Sequence, residues 1–383
     1  MREYLLVMLV AAAVTFLASG VCRRVALRAG ALAHVRDRDV HTVAMPYFGG
    51  VAMFLGLLSA IVLAWQLPFL GRQPLVGQDS LAVLVAAAVI CAVGVLDDLY
   101  DLRAYTKFAG QVLAAGIVVA LGVRMLWIPL PGQVISLDYG ASVAITVFFI
   151  VLCSNAVNFV DGLDGLATGV VGIGAGAFFA YSYVLYWYEG LSRATTSGLI
   201  AVAIVGICLG FLPHNFFPAR MFMGDSGAML LGLLLATSTV SLTGQLDPSQ
   251  LSDGGGVAGG IGGGLVPLVL PLVLPLAILA LPFLDLSMAF IRRTYAGRWW
   301  FLPDKQHLHH RLLERGHSQR RAVLLMYAWS ALVSFGVIVL GLVRTDRHWQ
   351  VVAVVLLIAV VLVLATLGRP IRGLRRPQRP PTP

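Results

Sequence analysis

Two asparagines and two aspartates share one spacing in the segment NAVNFVDGLDGLATG, which begins at Asn155. Asn155 and Asn158 stand i, i+3, so a helix would place both amides on one face. Asp161 and Asp164 repeat that spacing across glycines, which let the backbone approach a ligand closely. Amide and carboxylate oxygens are hard donors for a divalent cation and hydrogen-bond partners for a sugar or a nucleotide. The segment therefore favours a ligand or metal site, and a turn with side-chain caps is the alternative.

A second acidic segment, LDDLYD, places carboxylates within one helical turn of each other. On a helix Asp97 and Asp101 would stand i, i+4, and Asp98 and Asp101 would stand i, i+3. Because like charges this close repel, Mg²⁺ or a Lys or Arg side chain is the expected partner. A solvated helix end is the alternative interpretation.

Two further segments add donors of both signs. Asp225 in MGDSG stands at a predicted helix entrance, either as an N-cap or as a metal ligand that Asn215 could join. The segment KQHLHHR supplies five basic side chains: Lys305, His307, His309, His310 and Arg311. A zinc site is conceivable there, but the abundant carboxylates favour a harder metal. Cationic donors around a diphosphate fit this segment better.

The elements that must position these residues are membrane-spanning helices. Of the 383 residues, 59% are hydrophobic and 12% charged, against roughly 45–50% and 25% in soluble domains. Apolar runs long enough to cross ~30 Å of hydrocarbon recur along the whole chain, and backbone in lipid must be helical. We predict an all-α polytopic protein with about eleven spans, near 4–21, 48–66, 80–96, 106–122, 140–156, 166–187, 196–213, 226–242, 265–290, 323–343 and 349–367.

The charges predict the orientation. With eleven spans, 21 of the 27 Lys and Arg residues fall on one face, which the positive-inside rule makes cytoplasmic. The N-terminus is then outside and the C-terminus inside. Eleven of the 18 acidic residues, and all four segments above, share the cytoplasmic face. We therefore predict one active site built from cytoplasmic loops, in a single transmembrane catalytic domain (1–368) followed by a basic tail (369–383). Nucleic acid is disfavoured, because a membrane surface already explains the basic residues.

The ordered set LDDLYD, NAVNFVDGLDGLATG, FMGDSG and HLHHRLLERGHS resembles the polyprenyl-phosphate N-acetylhexosamine-1-phosphate transferases of glycosyltransferase family 4. The resemblance covers roughly residues 20–325. It implies transfer of a sugar 1-phosphate from a UDP-sugar to polyprenyl phosphate in the bacterial plasma membrane, with release of UMP. It also implies a requirement for Mg²⁺, with Mn²⁺ as a possible substitute.

The histidine segment is more similar to the branch that uses UDP-N-acetylglucosamine than to the phospho-N-acetylmuramoyl-pentapeptide transferases, which are the alternative. The first inner loop also resembles the family, through Arg38, His41, Pro46 and the pair Gly49 and Gly50. It departs from the commoner pattern at Asp39 and Tyr47, where many relatives carry Lys and Arg.

The resemblance implies roles for residues at matching positions. Asp225 is expected as the main metal ligand, with Asn158 second, and Asp97 or Asp98 would deprotonate or position the lipid phosphate. Asp161 and Asp164 would act in nucleotide or sugar recognition at the catalytic centre. The expected contacts with the diphosphate and the substrate come from these residues: Lys107, Asn155, Asn215, His307, His309, His310 and Arg311. A homodimer is a possible assembly.

Two rival functions belong to other classes. A secondary transporter should show internal repeats and polar groups near the bilayer midplane. The sequence shows no repeat, and only Asp285 lies well inside a predicted span. A structural scaffold for envelope assembly is the third option, and it predicts that Asp225→Ala leaves function intact.

Overall fold

The computed structural model of the protein describes residues 1–32, 44–130, 133–243, 317–342 and 348–367, with the single residues 273 and 294. Within these ranges the chain forms ten α-helices, one 3₁₀-helix at Leu70–Arg72 and one short hairpin. Their bounds are α1 Arg2–Ala29, α2 Gly49–Gln66, α3 Pro74–Tyr100, α4 Ala104–Ala120, β1 Trp127–Leu130, β2 Gln133–Ser136, α5 Tyr139–Val160, α6 Leu166–Glu189, α7 Ala194–Asn215, α8 Gly224–Thr243, α9 Gln319–Leu342 and α10 His348–Leu367.

The predicted all-α polytopic fold is confirmed. Nine of the described helices are long and apolar enough to cross a membrane, and α4 is a shorter apolar helix. Ten of the eleven predicted runs coincide with these helices. The remaining run, 265–290, lies outside the described residues except for residue 273, and the predicted tail lies wholly outside them.

Successive helices from α1 to α8 alternate in direction, so the bundle has two ends. At one end, the N–H of Gly49 at the start of α2 donates to Phe222 O just before α8, at 3.2 Å. We call this the site end. At the other, the far end, both carboxylate oxygens of Glu3 accept the N–H groups of Phe69 and Leu70 at 2.8 Å. The loops after α3, α5 and α7 therefore meet at the site end.

α8 is the central helix. Every residue in it except Asp225 is buried, and it packs against α2, α3, α5, α6 and α7. Hydroxyls along it donate to its own carbonyls, as Ser238 does to Leu235 O at 2.7 Å, so its polar side chains are satisfied without lipid or water. In contrast, none of the described side chains of α10 is buried. That helix packs against α9, and its exposed apolar side chains suit contact with lipid.

Glycines bring α2 and α3 against the first turn of α8. A Cβ at Gly94 of α3 would overlap the backbone of Ser226, and one at Gly50 of α2 would overlap the backbone of Gly227. Because the backbones touch, side chains one turn further along α3 reach the start of α8.

Two features differ from the sequence expectations. The far-end loop between α4 and α5 forms the antiparallel hairpin β1–β2, with Trp127 opposite Ser136, a small exception to the all-α fold.

α3 is longer than the predicted run 80–96, because that prediction took only the continuous apolar residues and left out the more polar turns at both ends of the helix. The helix takes in Asp79, which is 4% exposed and accepts a hydrogen bond from Ser241 at 3.1 Å. Asp285 is therefore not the only acidic residue within a span, although Asp79 lies in the second turn of α3, near the far end.

Candidate active site

Six of the helix ends at the site end carry the predicted site residues, because α3, α5 and α7 end there and α4, α6 and α8 begin there. Nine predicted site residues lie on or between these ends: Asp97, Asp98, Lys107, Asn155, Asn158, Asp161, Asp164, Asn215 and Asp225. Four others lie outside the described residues: His307, His309, His310 and Arg311.

An ionic cluster joins α3, α4, α5 and α8. The Lys107 ammonium lies 2.9 Å from Asp97 Oδ2 and also contacts Asp225 Oδ2. The other oxygen of Asp225 accepts a hydrogen bond from the Asn158 amide. The other oxygen of Asp97 accepts the N–H of Leu102 at 2.9 Å. One lysine thus bridges carboxylates from two helices and is the positive partner that the acidic segment LDDLYD requires.

Exposure within this cluster is uneven. The side chain of Asp225 is 32% exposed, that of Lys107 18% and that of Asp97 7%. Asp225 is therefore the carboxylate of this cluster that an incoming ligand reaches most readily.

Asp98 caps the N-terminus of α8. Its Oδ1 accepts the N–H of Asp225 at 2.7 Å, and its Oδ2 accepts the N–H and hydroxyl of Ser226 at 3.3 and 2.9 Å. These backbone donors belong to the first helical turn, which has no intrahelical acceptors for them. The cap comes from a neighbouring helix, so the N-cap interpretation of Asp225 does not hold. Its own carboxylate is directed instead to Lys107 and Asn158.

Asp161 lies at the end of α5, between the carboxylates of the site. Its N–H donates to Asn158 O at 3.3 Å, and its side chain is half-buried. Burial, followed by the negative charges of Asp225, Asp98 and Asp164, raises the pKa of the Asp161 carboxyl to about 8. The site therefore has an excess of negative charge, which a bound cation would relieve.

Asp164 and Asn215 form hydrogen bonds that join the α5–α6 loop to the α7–α8 loop at the site. Asp164 Oδ2 accepts the N–H of Ala219 at 2.9 Å. Asn215 Oδ1 accepts from Gly165 N at 3.1 Å and from the Thr168 hydroxyl at 2.9 Å, and its amide donates to the carbonyl of Met221. The short segment that carries Asp164 into α6 is thereby fixed to the loop that leads into α8.

The first inner loop is fixed to the same place. Phe222 N donates to Pro46 O at 3.0 Å, and Gly50 N donates to Met223 O at 3.0 Å. The predicted segment with Pro46, Gly49 and Gly50 therefore lies beside the entrance to α8. Arg38 and His41 lie outside the described residues.

Sequence reasoning missed Gln111 and Ser226. Gln111 is buried and exchanges two hydrogen bonds with the Asn155 amide, at 2.7 and 3.3 Å. Asn155 also donates to Val151 O at 2.8 Å, so both of its amide hydrogens are used inside the protein. Its predicted contact with substrate stays a prediction. The available signal was the position of Gln111, four residues after Lys107 in an otherwise apolar helix.

The donor set suits a hard divalent cation. Among the residues that the structure describes, no three His, Cys, Asp or Glu side chains form a ready metal group. Mg²⁺ commonly uses only one or two carboxylates, with water and substrate phosphates completing its shell. Asp225, partly exposed and beside an amide, offers such a ligand set, and the four described cysteines are all buried. The residues therefore fit Mg²⁺ better than a soft metal.

Fold and site together define a polytopic membrane protein whose polar centre lies where helix ends meet at one side of the bundle. The family model for glycosyl transferase family 4 matches residues 80–243, which contain every described site residue. The chain is 46% identical over 340 residues to the decaprenyl-phosphate N-acetylglucosaminephosphotransferase of Mycobacterium tuberculosis (strain CDC 1551 / Oshkosh), covering 88% of this chain and 82% of that protein. This protein belongs to glycosyl transferase family 4 and is a multi-pass membrane transferase.

Two other relatives represent different branches. The chain is 32% identical over 323 residues to a probable undecaprenyl-phosphate N-acetylglucosaminyl 1-phosphate transferase of Bacillus subtilis (strain 168), covering 84% of this chain and 80% of that protein. It is 34% identical over 232 residues to the phospho-N-acetylmuramoyl-pentapeptide-transferase of Desulforudis audaxviator (strain MP104C), covering 55% of this chain and 66% of that protein. The match to the N-acetylglucosamine branch extends over much more of the chain.

Proposed function

We propose that this protein transfers N-acetylglucosamine 1-phosphate from UDP-N-acetylglucosamine to a polyprenyl phosphate, giving a polyprenyl-diphosphate sugar and UMP. The observation that carries the proposal is the ionic cluster of Asp97, Lys107, Asn158 and Asp225 at the converging helix ends. Its place at the end of an apolar bundle suits a reaction between a water-soluble nucleotide sugar and a lipid. The names of two extensively matched relatives support N-acetylglucosamine phosphate transfer and a polyprenyl phosphate acceptor. The UDP carrier is what the family resemblance implies.

Asp225, with Asn158 beside it, would hold Mg²⁺, and Mn²⁺ is the expected substitute. When bound, the ion supplies Lewis-acid polarisation of the donor phosphates and neutralises charge that develops on the departing UMP. Asn158 now donates its amide to Asp225, and a rotation of that amide would present its oxygen instead. Lys107 supplies a fixed positive charge for the diphosphate from the opposite side of Asp225.

Asp97 is the better of the two candidates for positioning the acceptor phosphate. Both oxygens of Asp98 accept hydrogen bonds from the first turn of α8, so this carboxylate serves the helix start. Both oxygens of Asp97 also have partners, but one of these is the Lys107 ammonium, the cation that a phosphate would approach. A phosphate monoester has its second pKa near ~6, so most of the acceptor is a dianion at neutral pH. Holding that dianion in line with the donor phosphorus then matters more than removing its proton. The acceptor oxygen forms the new bond to the sugar-bearing phosphorus as the bond to the UMP oxygen breaks.

The donor nucleotide sugar would lie over Asp161 and Asp164, with His307, His309, His310 and Arg311 around the diphosphate. Asp164 is only 2% exposed, and its carboxylate accepts the N–H of Ala219. These two facts favour a role in holding the loop geometry over direct contact with the donor. Asp161, half-buried beside Asp225, is the better candidate for direct contact with the sugar or nucleotide.

The decisive experiment measures UMP release by purified protein with Mg²⁺, polyprenyl phosphate and each of several UDP-sugars. We expect release with UDP-N-acetylglucosamine, and loss of at least ~10²-fold in Asp225→Asn, since removing one stabilising group commonly lowers rates by about 10²–10³. Asp138→Asn is the matched control, because that aspartate is exposed at the far end and caps α5 with a single bond at 3.3 Å. Absence of UMP release with every donor would refute the proposal.

Phospho-N-acetylmuramoyl-pentapeptide transfer is the second candidate, favoured by the match to the Desulforudis audaxviator relative, which is 34% identical over 232 residues. The same assay separates the two, because release with UDP-N-acetylmuramoyl-pentapeptide alone would select it.

We also propose that the site end faces the cytoplasm of a bacterial cell, with the N-terminus outside and the C-terminus inside. The support is the excess of Lys and Arg predicted on that face. Because the native cysteines are buried, single cysteines can be labelled over a low background. Asp101→Cys at the site end should resist an impermeant maleimide in intact cells, and Asp138→Cys should react. The reverse pattern would refute this orientation.

A further inference from the structure

A polar layer lies directly beneath the ionic cluster. Three helices supply one residue each to the cluster: Lys107 from α4, Asn158 from α5 and Asp225 from α8. The same three helices supply one residue each one turn deeper in the bundle: Gln111, Asn155 and Met229. The spacings are i+4 on α4, i−3 on α5 and i+4 on α8, so the second layer repeats the first along the helix axes.

The deeper layer is fully joined by contacts. Asn155 Nδ2 donates to Gln111 Oε1 at 2.7 Å, and Gln111 Nε2 donates back to Asn155 Oδ1 at 3.3 Å. Gln111 Nε2 also contacts the Met229 sulfur at 3.1 Å. Gln111 is 1% exposed. A reciprocal amide pair holds only one relative height and rotation of two helices, because shifting either helix by one residue separates the paired atoms.

We propose that the Gln111–Asn155 pair is a positioning element that fixes the register of α4 against α5, so that Lys107 and Asn158 both reach Asp225. This inference rests on the proposed function. It adds Gln111 and Asn155 as residues that act by positioning Lys107 and Asn158. It assigns Asn155 to positioning in place of the direct substrate contact predicted from the sequence. α4 begins after a short loop at Arg103 and packs laterally against α3 and α5. Without the pair, the height of Lys107 would depend on apolar packing, which tolerates small axial shifts.

The length of the pair gives a sharp test. Gln111→Asn shortens the reach from α4 by one methylene, about one C–C bond of ~1.5 Å, and Asn155→Gln lengthens the reach from α5 by the same amount. Each single change mismatches the pair, whereas the double swap Gln111→Asn/Asn155→Gln restores the summed length. Misplacement of about 1 Å at a reacting site can lower a rate ~10²-fold. We expect kcat for UMP release to fall at least tenfold in each single variant, and the double swap to recover to within threefold of the wild type.

Three controls separate positioning from loss of folding and from failure of the proposed function. Ser241→Ala removes another hydrogen bond between helices, Ser241 to Asp79 at the far end, and should leave kcat unchanged. Thermal unfolding midpoints in detergent should agree among the folded variants. If a single variant does not fold, Gln111→Met serves instead, since an apolar side chain of similar length should preserve packing while losing the pair, and it should show the same tenfold fall.

The outcomes are distinguishable. A wild-type protein that releases no UMP contradicts the proposed function. An active wild type whose single variants keep kcat within twofold, or whose double swap is no faster than the slower single variant, overturns the positioning role. Singles that are slow and folded, together with a recovered double swap, support it.

Discussion

Replacing Asp98 should loosen the start of α8, because this carboxylate is the acceptor for three donors in its first turn. Losing an N-cap costs about 0.5–2 kcal/mol, and a hydrogen bond to a charged group contributes about 1.5–3 kcal/mol. One of the three bonds is long, at 3.3 Å, and the site end is partly open to water. We therefore expect Asp98→Ala to lower the unfolding free energy by about 2–3 kcal/mol, and Asp98→Asn, which keeps one acceptor oxygen, by about 1 kcal/mol.

The assay is thermal unfolding in detergent, run beside UMP release. For a large chain, ~2 °C per kcal/mol predicts a midpoint lower by about 4–6 °C in Asp98→Ala. Asp138→Ala is the matched control, because its carboxylate makes one cap bond at 3.3 Å on an exposed helix start. That variant should lose less than about 1 kcal/mol and keep its activity. Asp97→Asn should instead keep its midpoint within ~2 °C and lose at least ~10²-fold in kcat.

One result would refute the reasoning. If Asp98→Asn unfolds at the wild-type temperature but releases UMP ~10³-fold more slowly, then Asp98 acts on substrate. The choice of Asp97 as the carboxylate that positions the acceptor would then be wrong.

Two further predictions concern packing and pH. A Cβ at Gly169 would overlap the Tyr327 ring, whose hydroxyl donates to Gly165 O, so Gly169→Ala should lower the unfolding free energy by about 1–3 kcal/mol. An unchanged thermal midpoint would contradict this contact between α6 and α9, and adding Tyr327→Ala should recover part of the loss. The pKa of Asp161 rises in the folded protein from 3.8 to about 8, so the folded state binds this proton more tightly than the unfolded chain. Its contribution therefore makes the unfolding free energy fall as pH rises across that window. Without divalent cations the wild-type midpoint should decline more steeply than that of Asp161→Asn, and parallel pH profiles would contradict the shift.

The sequence predicted the helices well, because long apolar runs leave no other backbone structure in lipid. It also predicted that Asp97, Asn158 and Asp225 meet, since alternating spans place every second loop at one end. The partners within the site were harder to predict. That Lys107, and not a neighbouring arginine, bridges Asp97 and Asp225 depends on how α4 is rotated, and a nearly uniform apolar sequence does not specify rotation.

The division of labour between Asp97 and Asp98 could not be predicted for a similar reason. The two are adjacent in sequence and chemically identical, and it is the packing of α3 on α8, close at Gly94 and Ser226, that brings Asp98 to the start of α8. The hairpin β1–β2 was missed because its strands are four residues each, too short for alternation to be visible. The histidine segment at 307–310 lies outside the described residues, so its predicted contact with the diphosphate stays a prediction.

The enclosed position of α8 bears on how the protein is assembled in the cell. The five described helices that pack against α8 are all made before it, since α2, α3, α5, α6 and α7 precede it in the chain. Their final packing around α8 can therefore form only after α8 has been made. Before α8 is present, the carboxylate of Asp98 lacks the hydrogen-bond donors of Asp225 and Ser226. The catalytic centre therefore matures late in biogenesis, and a truncated chain that stops before α8 should be present in the membrane but without a formed site.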